Sequence, residues 1–503
     1  ITNDDGKLIV YDITRGAHVM DFQADGNVKI PVNSKKLMFG SGNDLQLYAD
    51  GTDALIDEPN SKRLRIRSTE TRFENFTGLE VLGRFVGGNI GRVELYHDGN
   101  SKKFETTATG IEVTGEVAAS QDYPNFQPTI DFNFASEKKL DSRITYSRTG
   151  PASFTDEFGK VVLVGDNVPR FDHDPVTRES KGLLIEESRT NYMKYSDEFA
   201  IPSGQTGGNW DAIGGSSDYT RVSDTTETKD PTGITNHASK LTFNSGNATL
   251  RGYWYSGAVD GATAKTFSVY LKRATSNTTT IQIDIGDQGT ASYTITDEWK
   301  RYSVTTSSAG NGNFVDMRLQ TGASTPYYAW GAQIEAGSYA TSYIPTSSAA
   351  VTRGADFALI DGEEFTEFFN QDQGTIITST NSLNTSATQY SMVIEGDNTN
   401  NERHMFVESN NYQYQIRDGG ATQAQIDAGS ITSKNIIAAA YKLNDTAVSI
   451  NGSDAATDTS ATMPTCNKLK LGHWSTTVYN GHINRFMYYS QRISNTQLRN
   501  LTS

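Results

Sequence analysis

Three times within the first hundred residues, a run of alternating apolar and polar side chains ends in an Asp-Gly pair. Leu45-Gln46-Leu47-Tyr48-Ala49-Asp50-Gly51 is matched by Val93-Glu94-Leu95-Tyr96-His97-Asp98-Gly99, and Phe22-Gln23-Ala24-Asp25-Gly26 is a weaker copy. Glycine supplies the positive φ that a tight reversal needs, so each copy reads as a hairpin and not as a helix. Hairpins of this kind are marginal in water when isolated, because two strands bury too little. The copies stand 25 residues apart (25 to 50) and then 48 (50 to 98), too irregular for a solenoid. Identical chains about a threefold axis solve the problem, each supplying the missing wall of its neighbour. The expectation for residues 1–120 is an intertwined trimeric β stalk.

The remainder divides by the texture of its strands. At 503 residues the chain is too long for one core, and ~150 residues per domain suggests three or four units. Residues 121–190 show turns such as Thr149-Gly150-Pro151 and end in the apolar run Lys181-Gly182-Leu183-Leu184-Ile185-Glu186, which reads as a connector packed against the adjoining domain. Residues 191–354 carry period-2 segments at 267–271, 279–285 and 299–304, the pattern of an antiparallel sandwich with one buried face and one wet face. A jelly roll is expected there. Residues 355–503 repeat the style at 374–379, 435–441 and 447–452, predicting a second sandwich. Ser494 and Gln497 form a capping box ahead of Leu498 and Leu501, so a helix of about two turns is expected at the end. The fold class is all-β.

Composition removes several functions. With 44 basic and 59 acidic residues the net charge is −15, and no stretch concentrates Lys and Arg as phosphate neutralisation requires, so nucleic acid is excluded as a partner. The single cysteine, Cys466, rules out an intrachain disulfide and reads as a small buried apolar residue. No run approaches the ~18 apolar residues of a membrane helix, so no membrane insertion is expected. Ile1-Thr2-Asn3-Asp4-Asp5 lacks the regions of a signal peptide, and the start without Met points to a trimmed N-terminus.

Catalytic and metal patterns are also missing. None of the seven histidines stands in a metal-ligand spacing. Asp25-Gly26-Asn27, Asp50-Gly51-Thr52-Asp53 and Asp98-Gly99-Asn100 lack the alternating oxygen ligands and closing Glu of a calcium loop, so they read as turns; calcium in the last domain stays open. Glu186-Glu187 and Glu363-Glu364 are adjacent carboxylates, which on a strand point to opposite faces and cannot flank one glycosidic bond. No cofactor and no enzymatic activity is expected.

Three stretches resemble bacteriophage structural proteins. The segment from Val93 through Lys102-Lys103-Phe104-Glu105 to Gly110-Ile111-Glu112-Val113-Thr114-Gly115 resembles the stalk repeat of tail fibres of marine phages, cyanophages in particular. Pro169-Arg170-Phe171-Asp172-His173-Asp174-Pro175 and Lys181 to Asn191 resemble the opening of a recurrent tail-protein module. Its closing phrase is present as Trp330-Gly331-Ala332-Gln333-Ile334-Glu335, Ser342-Tyr343-Ile344-Pro345-Thr346 and Val351-Thr352-Arg353. The strands between look like jelly-roll carbohydrate-binding modules. Gly481 to Ser494 resembles the last strand of concanavalin A-like, laminin-G-like lectin domains.

The resemblance implies a virion tail fibre, made in the host cytoplasm, that joins other tail or baseplate proteins through its N-terminal side. Its distal sandwiches would meet host-surface polysaccharide or lipopolysaccharide. A tailspike-like depolymerase and a purely structural spacer are the alternatives. A sugar ring presents apolar C–H faces to aromatic side chains while polar neighbours bond its hydroxyls. In the last domain Arg403, Tyr412, Tyr414, Trp474 and Tyr479 lie near polar turns and are the candidate glycan contacts, whereas Trp254 and Trp330 read as core.

Overall fold

The computed structural model describes residues 2–4, 7–12, 14, 17–30, 36–39, 45–50, 52–57, 66–87, 91–97, 101–108, 110–114, 123–199, 210–213, 219–244, 249–254, 264–286, 288–307, 313–320, 325–383, 387–397 and 401–503. The fold is all-β, with antiparallel sheets and short helices, and the chain divides into compact units at 1–119 and 120–503.

The described residues of 1–119 form antiparallel meanders: a four-stranded sheet, a three-stranded sheet and a five-stranded sheet. The turn chemistry is local. Asp50 Oδ1 accepts the N–H groups of Thr52 and Asp53, and Asp25 Oδ1 accepts that of Asn27, while Gly26 takes φ 86°. The Asp98-Gly99-Asn100 turn lies outside the described residues.

In the five-stranded sheet, Glu70–Glu74, Val81–Val86, Arg92–His97, Ser101–Thr107 and Gly110–Val113 pair in chain order. The register lines up Phe73, Leu95, Phe104 and Val113 on one face, with Phe85 beside them. The other face holds Arg84, Arg92 and Tyr96 around Glu94, whose carboxylate takes hydrogen bonds from all three. The Arg84 hydrogen bond holds Glu94 well below the usual carboxylate range.

In residues 120–503 the first sandwich packs one five-stranded sheet on another. One runs Tyr219–Val222, Ser239–Phe243, Pro326–Ala336, Lys265–Arg273, Lys300–Thr306; the other Trp210–Ile213, Thr249–Tyr253, Phe314–Leu319, Thr280–Ile285, Gly289–Thr294. Phe267, Val269, Leu271, Ile281, Ile283 and Met317 fill the layer between, together with Trp254. Trp330 is also buried, in a smaller cluster with Val161 and Tyr343. The expected wet face fails for Lys265–Arg273. Thr266 and Ser268 are as buried as their apolar neighbours, because the segment after Ala336 folds back over them, with Thr266 Oγ1 bonded to Gly337 O.

The second sandwich places an eight-stranded sheet on a seven-stranded one. Here the expected connector takes a different role. Ile130–Phe132 and Ser180–Ile185 both pair with Gly481–Tyr489, and Thr145–Ser147 pairs with Phe357–Asp361, so residues 121–190 contribute strands to both sheets. The physical cause is burial: Ile130, Phe132, Leu183 and Ile185 join Phe406, Ile437, Ile483 and Phe486 in one core. Gly182 has φ 81°, and a Cβ there would run into the backbone at Ile483 and Asn484, so only glycine lets these strands meet.

The helix Asn495–Leu501 carries the expected capping box, Ser494 Oγ accepting from Gln497 N–H and Gln497 Oε1 from Ser494 N–H. It lays Leu498 over the outer face of the eight-stranded sheet, beside Ala438, Ala440 and Met487. Glu363 and Glu364 lie on the short helix Gly362–Thr366 and not on a strand; glycine at positive φ turns the chain into it.

Candidate functional site

The seven-stranded sheet contains Gln389–Glu395, Arg403–Glu408, Asn411–Asp418 and Ala421–Ser430 as successive antiparallel neighbours. In Asn411–Asp418 the alternation Tyr412, Tyr414, Ile416 against Gln413, Gln415, Arg417 gives two chemically distinct faces. The aromatic face turns inward. Tyr412 and Tyr414 have no solvent exposure, nor does Tyr479, so these three candidates are core side chains beyond the reach of a glycan. Their hydroxyls work internally: Tyr412 with Ser391, Tyr414 with His404. Burial lowers the His404 pKa to about 3, so this histidine is neutral. Burial likewise raises that of Glu408, which faces Tyr412 and Tyr479.

The opposite face of the sheet brings the other two candidates together. The Arg403 guanidinium lies 4.6 Å from the centroid of the Trp474 ring, and Tyr390 meets the same indole edge to face at 5.1 Å. Trp474 sits on the small hairpin of His473–Trp474 and Thr477–Val478, which packs against Gln389–Glu395. Arg403 Nη2 donates to Gln415 Oε1 at 3.1 Å, Gln415 Nε2 to Gln425 Oε1 at 3.4 Å, and Gln425 Nε2 to Gln413 Oε1 at 3.0 Å. The result is a strip of half-exposed aromatic rings, then a largely buried guanidinium, then a chain of half-exposed and exposed side-chain amides, crossing four strands. Lys470, bonded to Glu395 at 2.5 Å, lies on the same face. Burial lowers the Arg403 pKa, and neighbouring Arg417 lowers it further.

Such a strip offers aromatic surface next to groups that both donate and accept hydrogen bonds, while it offers no nucleophile with a base beside it. Tyr390, Gln413, Gln415 and Gln425 were not among the residues expected from sequence. Their signal was the polar half of each alternating strand. Among the described residues, no group of three or more His, Cys, Asp or Glu side chains is arranged to hold a metal ion.

The module phrases assemble elsewhere, into a buried charge knot. Arg170 Nη1 is 2.6 Å from Glu186 Oε2, Arg170 Nη2 is 2.5 Å from Asp356 Oδ2, and Arg353 Nη1 is 2.9 Å from Glu186 Oε2. Ser342 adds its N–H and Oγ–H to Glu186, and Tyr146 and Arg148 close on Asp356. The side chains of Arg148, Arg170, Glu186, Arg353 and Asp356 have no solvent exposure. Burial works to raise the Glu186 pKa, but Arg353 and Arg170 overcome it and hold the carboxyl far below its ordinary value. The knot ties strands of the second sandwich to the closing loop of the first.

No family model matches the chain, and no curated protein matches it. Among solved structures, the sialidase module titled Ruminococcus gnavus IT-sialidase CBM40, bound to alpha2,3 sialyllactose, is 19% identical, covers 27% of this chain and 84% of its own, and has a TM-score of 0.24. Domain 4 of AbnA, a GH43 extracellular arabinanase from Geobacillus stearothermophilus in complex with arabinotriose, is 15% identical over 30% of this chain and 73% of its own, with a TM-score of 0.25. The leech intramolecular trans-sialidase is 18% identical over 26% of this chain and 23% of its own, with a TM-score of 0.23.

Proposed function

We propose that the chain is a non-catalytic adhesive subunit of a phage tail fibre that binds host-surface glycan through the outer face of its seven-stranded sheet. The observation that carries this is the Tyr390–Trp474–Arg403 cluster leading into Gln415, Gln425 and Gln413. Sugar rings stack on aromatics and exchange hydrogen bonds with amides, and both groups are fixed here by a rigid sheet.

The fibre reading is supported by the resemblance of the stalk repeat and by the five-stranded sheet of residues 70–113. Phe73, Phe85, Leu95 and Ile111 are 54%, 51%, 48% and 65% exposed within one chain. Contiguous apolar surface of this kind marks an association site, and a third of a trimeric core leaves it bare in each isolated copy. The occupant is therefore two further copies of the same chain. Joining other tail proteins and residence in the virion belong to the same reading.

The test is a glycan array built from host-envelope polysaccharides and probed with the full-length protein. Binding that is lost in Trp474→Ala and weakened in Gln415→Ala, with circular dichroism unchanged, is the expected result. A blank array would favour a spacer role. Release of reducing sugar from the same polysaccharides would overturn the non-catalytic reading.

A further inference from the structure

Where the two sandwiches meet, the strand Ala152–Thr155, the loop after Phe171–His173 and residues 340–343 leave a cleft of about 290 Å³. That is close to the ~300 Å³ at which small-ligand pockets begin. The strip at Trp474 contributes nothing to it.

The carboxylates in its walls are already satisfied. Asp172 Oδ1 takes the Thr155 N–H at 2.6 Å, its Oδ2 lies 2.8 Å from His482 Nε2, and Glu186 is locked in the charge knot. The cations are less complete. Arg301 donates to Thr341 O and to Ser268 Oγ, both neutral acceptors, and its Nε is buried with no hydrogen-bond partner among the described residues. Lys300, next on the strand, points to the other face, 5.7 Å from the Tyr302 ring, while Lys181 across the cleft meets the half-exposed Asp174 at 3.2 Å. Aromatic surface stands next to this charge. Arg301 lies 5.5 Å from the Tyr270 ring, and the Trp299 indole is pinned by its Nε1–H to Lys229 O at 2.7 Å.

We propose that this cleft is a second binding site and that it takes a carboxylate-bearing sugar of the uronate class. The carboxylate sits on Arg301, where a guanidinium bonds a planar anion with charge-assisted hydrogen bonds, and Lys181 faces it from the other wall. The C–H face of the ring rests on Trp299. The site goes beyond the adhesive strip and stands whether or not that strip binds anything.

Titration of the full-length protein with D-glucuronate, followed by Trp fluorescence and calorimetry, tests it against D-glucose and inorganic sulfate. The expected result is saturable glucuronate binding, with glucose and sulfate each roughly tenfold weaker or more. Binding is expected to drop by at least a similar factor in Arg301→Gln and in Lys181→Gln, and to persist unchanged in Trp474→Ala. Lys181 is half-exposed, so its variant keeps the test valid if Arg301→Gln fails to fold. No glucuronate binding, equal binding of glucose, or full binding in Lys181→Gln and Arg301→Gln would overturn the proposal. Sulfate binding as tightly as glucuronate would overturn the sugar class.

Discussion

Glu186 shows what a single buried charge does in this protein. It stands between Arg170 and Arg353 with Ser342 completing its shell. Glu186→Gln would leave excess positive charge without solvent, a loss of about 3–5 kcal/mol, read as a lower urea midpoint of the full-length chain. Its folded pKa is depressed, so its contribution is present above the ordinary value of 4.5 and is lost as pH falls below it. His404 adds a slope at higher pH. Burial holds it neutral down to about 3, whereas the unfolded chain takes up its proton near 6.5, so stability falls as pH drops through that window. Between pH 7 and pH 4.5 the loss is about 3 kcal/mol, and His404→Gln is expected to flatten the stability–pH curve over that interval. Alternation in Asn411–Asp418 marked two faces without saying which was inward. The tyrosines went in because Tyr412, Tyr414 and Ile416 present more apolar area than Gln413, Gln415 and Arg417, and the inward hydroxyls found partners.

Elements carry two further expectations. The five-stranded sheet within residues 70–113 has an apolar face that no second layer covers among the described residues. Phe85→Lys and Leu95→Asp place charge where the other copies would pack, so native mass measurement should show smaller species for both and a trimer for the parent. A parent that stays monomeric in dilute solution sinks the stalk. At the other end, the Ser494 cap holds a helix that covers Ala438 and Ala440. Ser494→Ala should cost about 1 kcal/mol, visible as a lower melting temperature with binding intact. The capping box was legible in sequence because its partners are three residues apart. The roles of Ile130–Phe132 and Ser180–Ile185 were not, because their pairing partner at Gly481–Tyr489 lies roughly 300 to 360 residues on.

Across the whole molecule, the proposed function depends on copy number. Weak sites gain 10² to 10⁴ in avidity when copies act together. A variant that blocks assembly should therefore bind host cells more weakly by about that range while its single-site affinity, measured with a soluble oligosaccharide, stays unchanged. Equal cell binding by assembled and dissociated forms would count against an avidity mechanism. By itself the sequence determined the all-β class, the alternation of strands such as Asn411–Asp418, the turns at Asp25 and Asp50 and the helix cap, because each of these follows from side chains within a few residues of one another. Only tertiary structure decided that Ile130–Phe132, Thr145–Ser147 and Ser180–Ile185 join the second sandwich, and that Arg170, Glu186, Arg353 and Asp356 meet. The same holds for the pairing of Arg403 with Trp474 while the tyrosines chosen beside them are core. Each of those outcomes rests on a choice between faces or partners that alternation leaves equal, and burial against distant strands makes the choice.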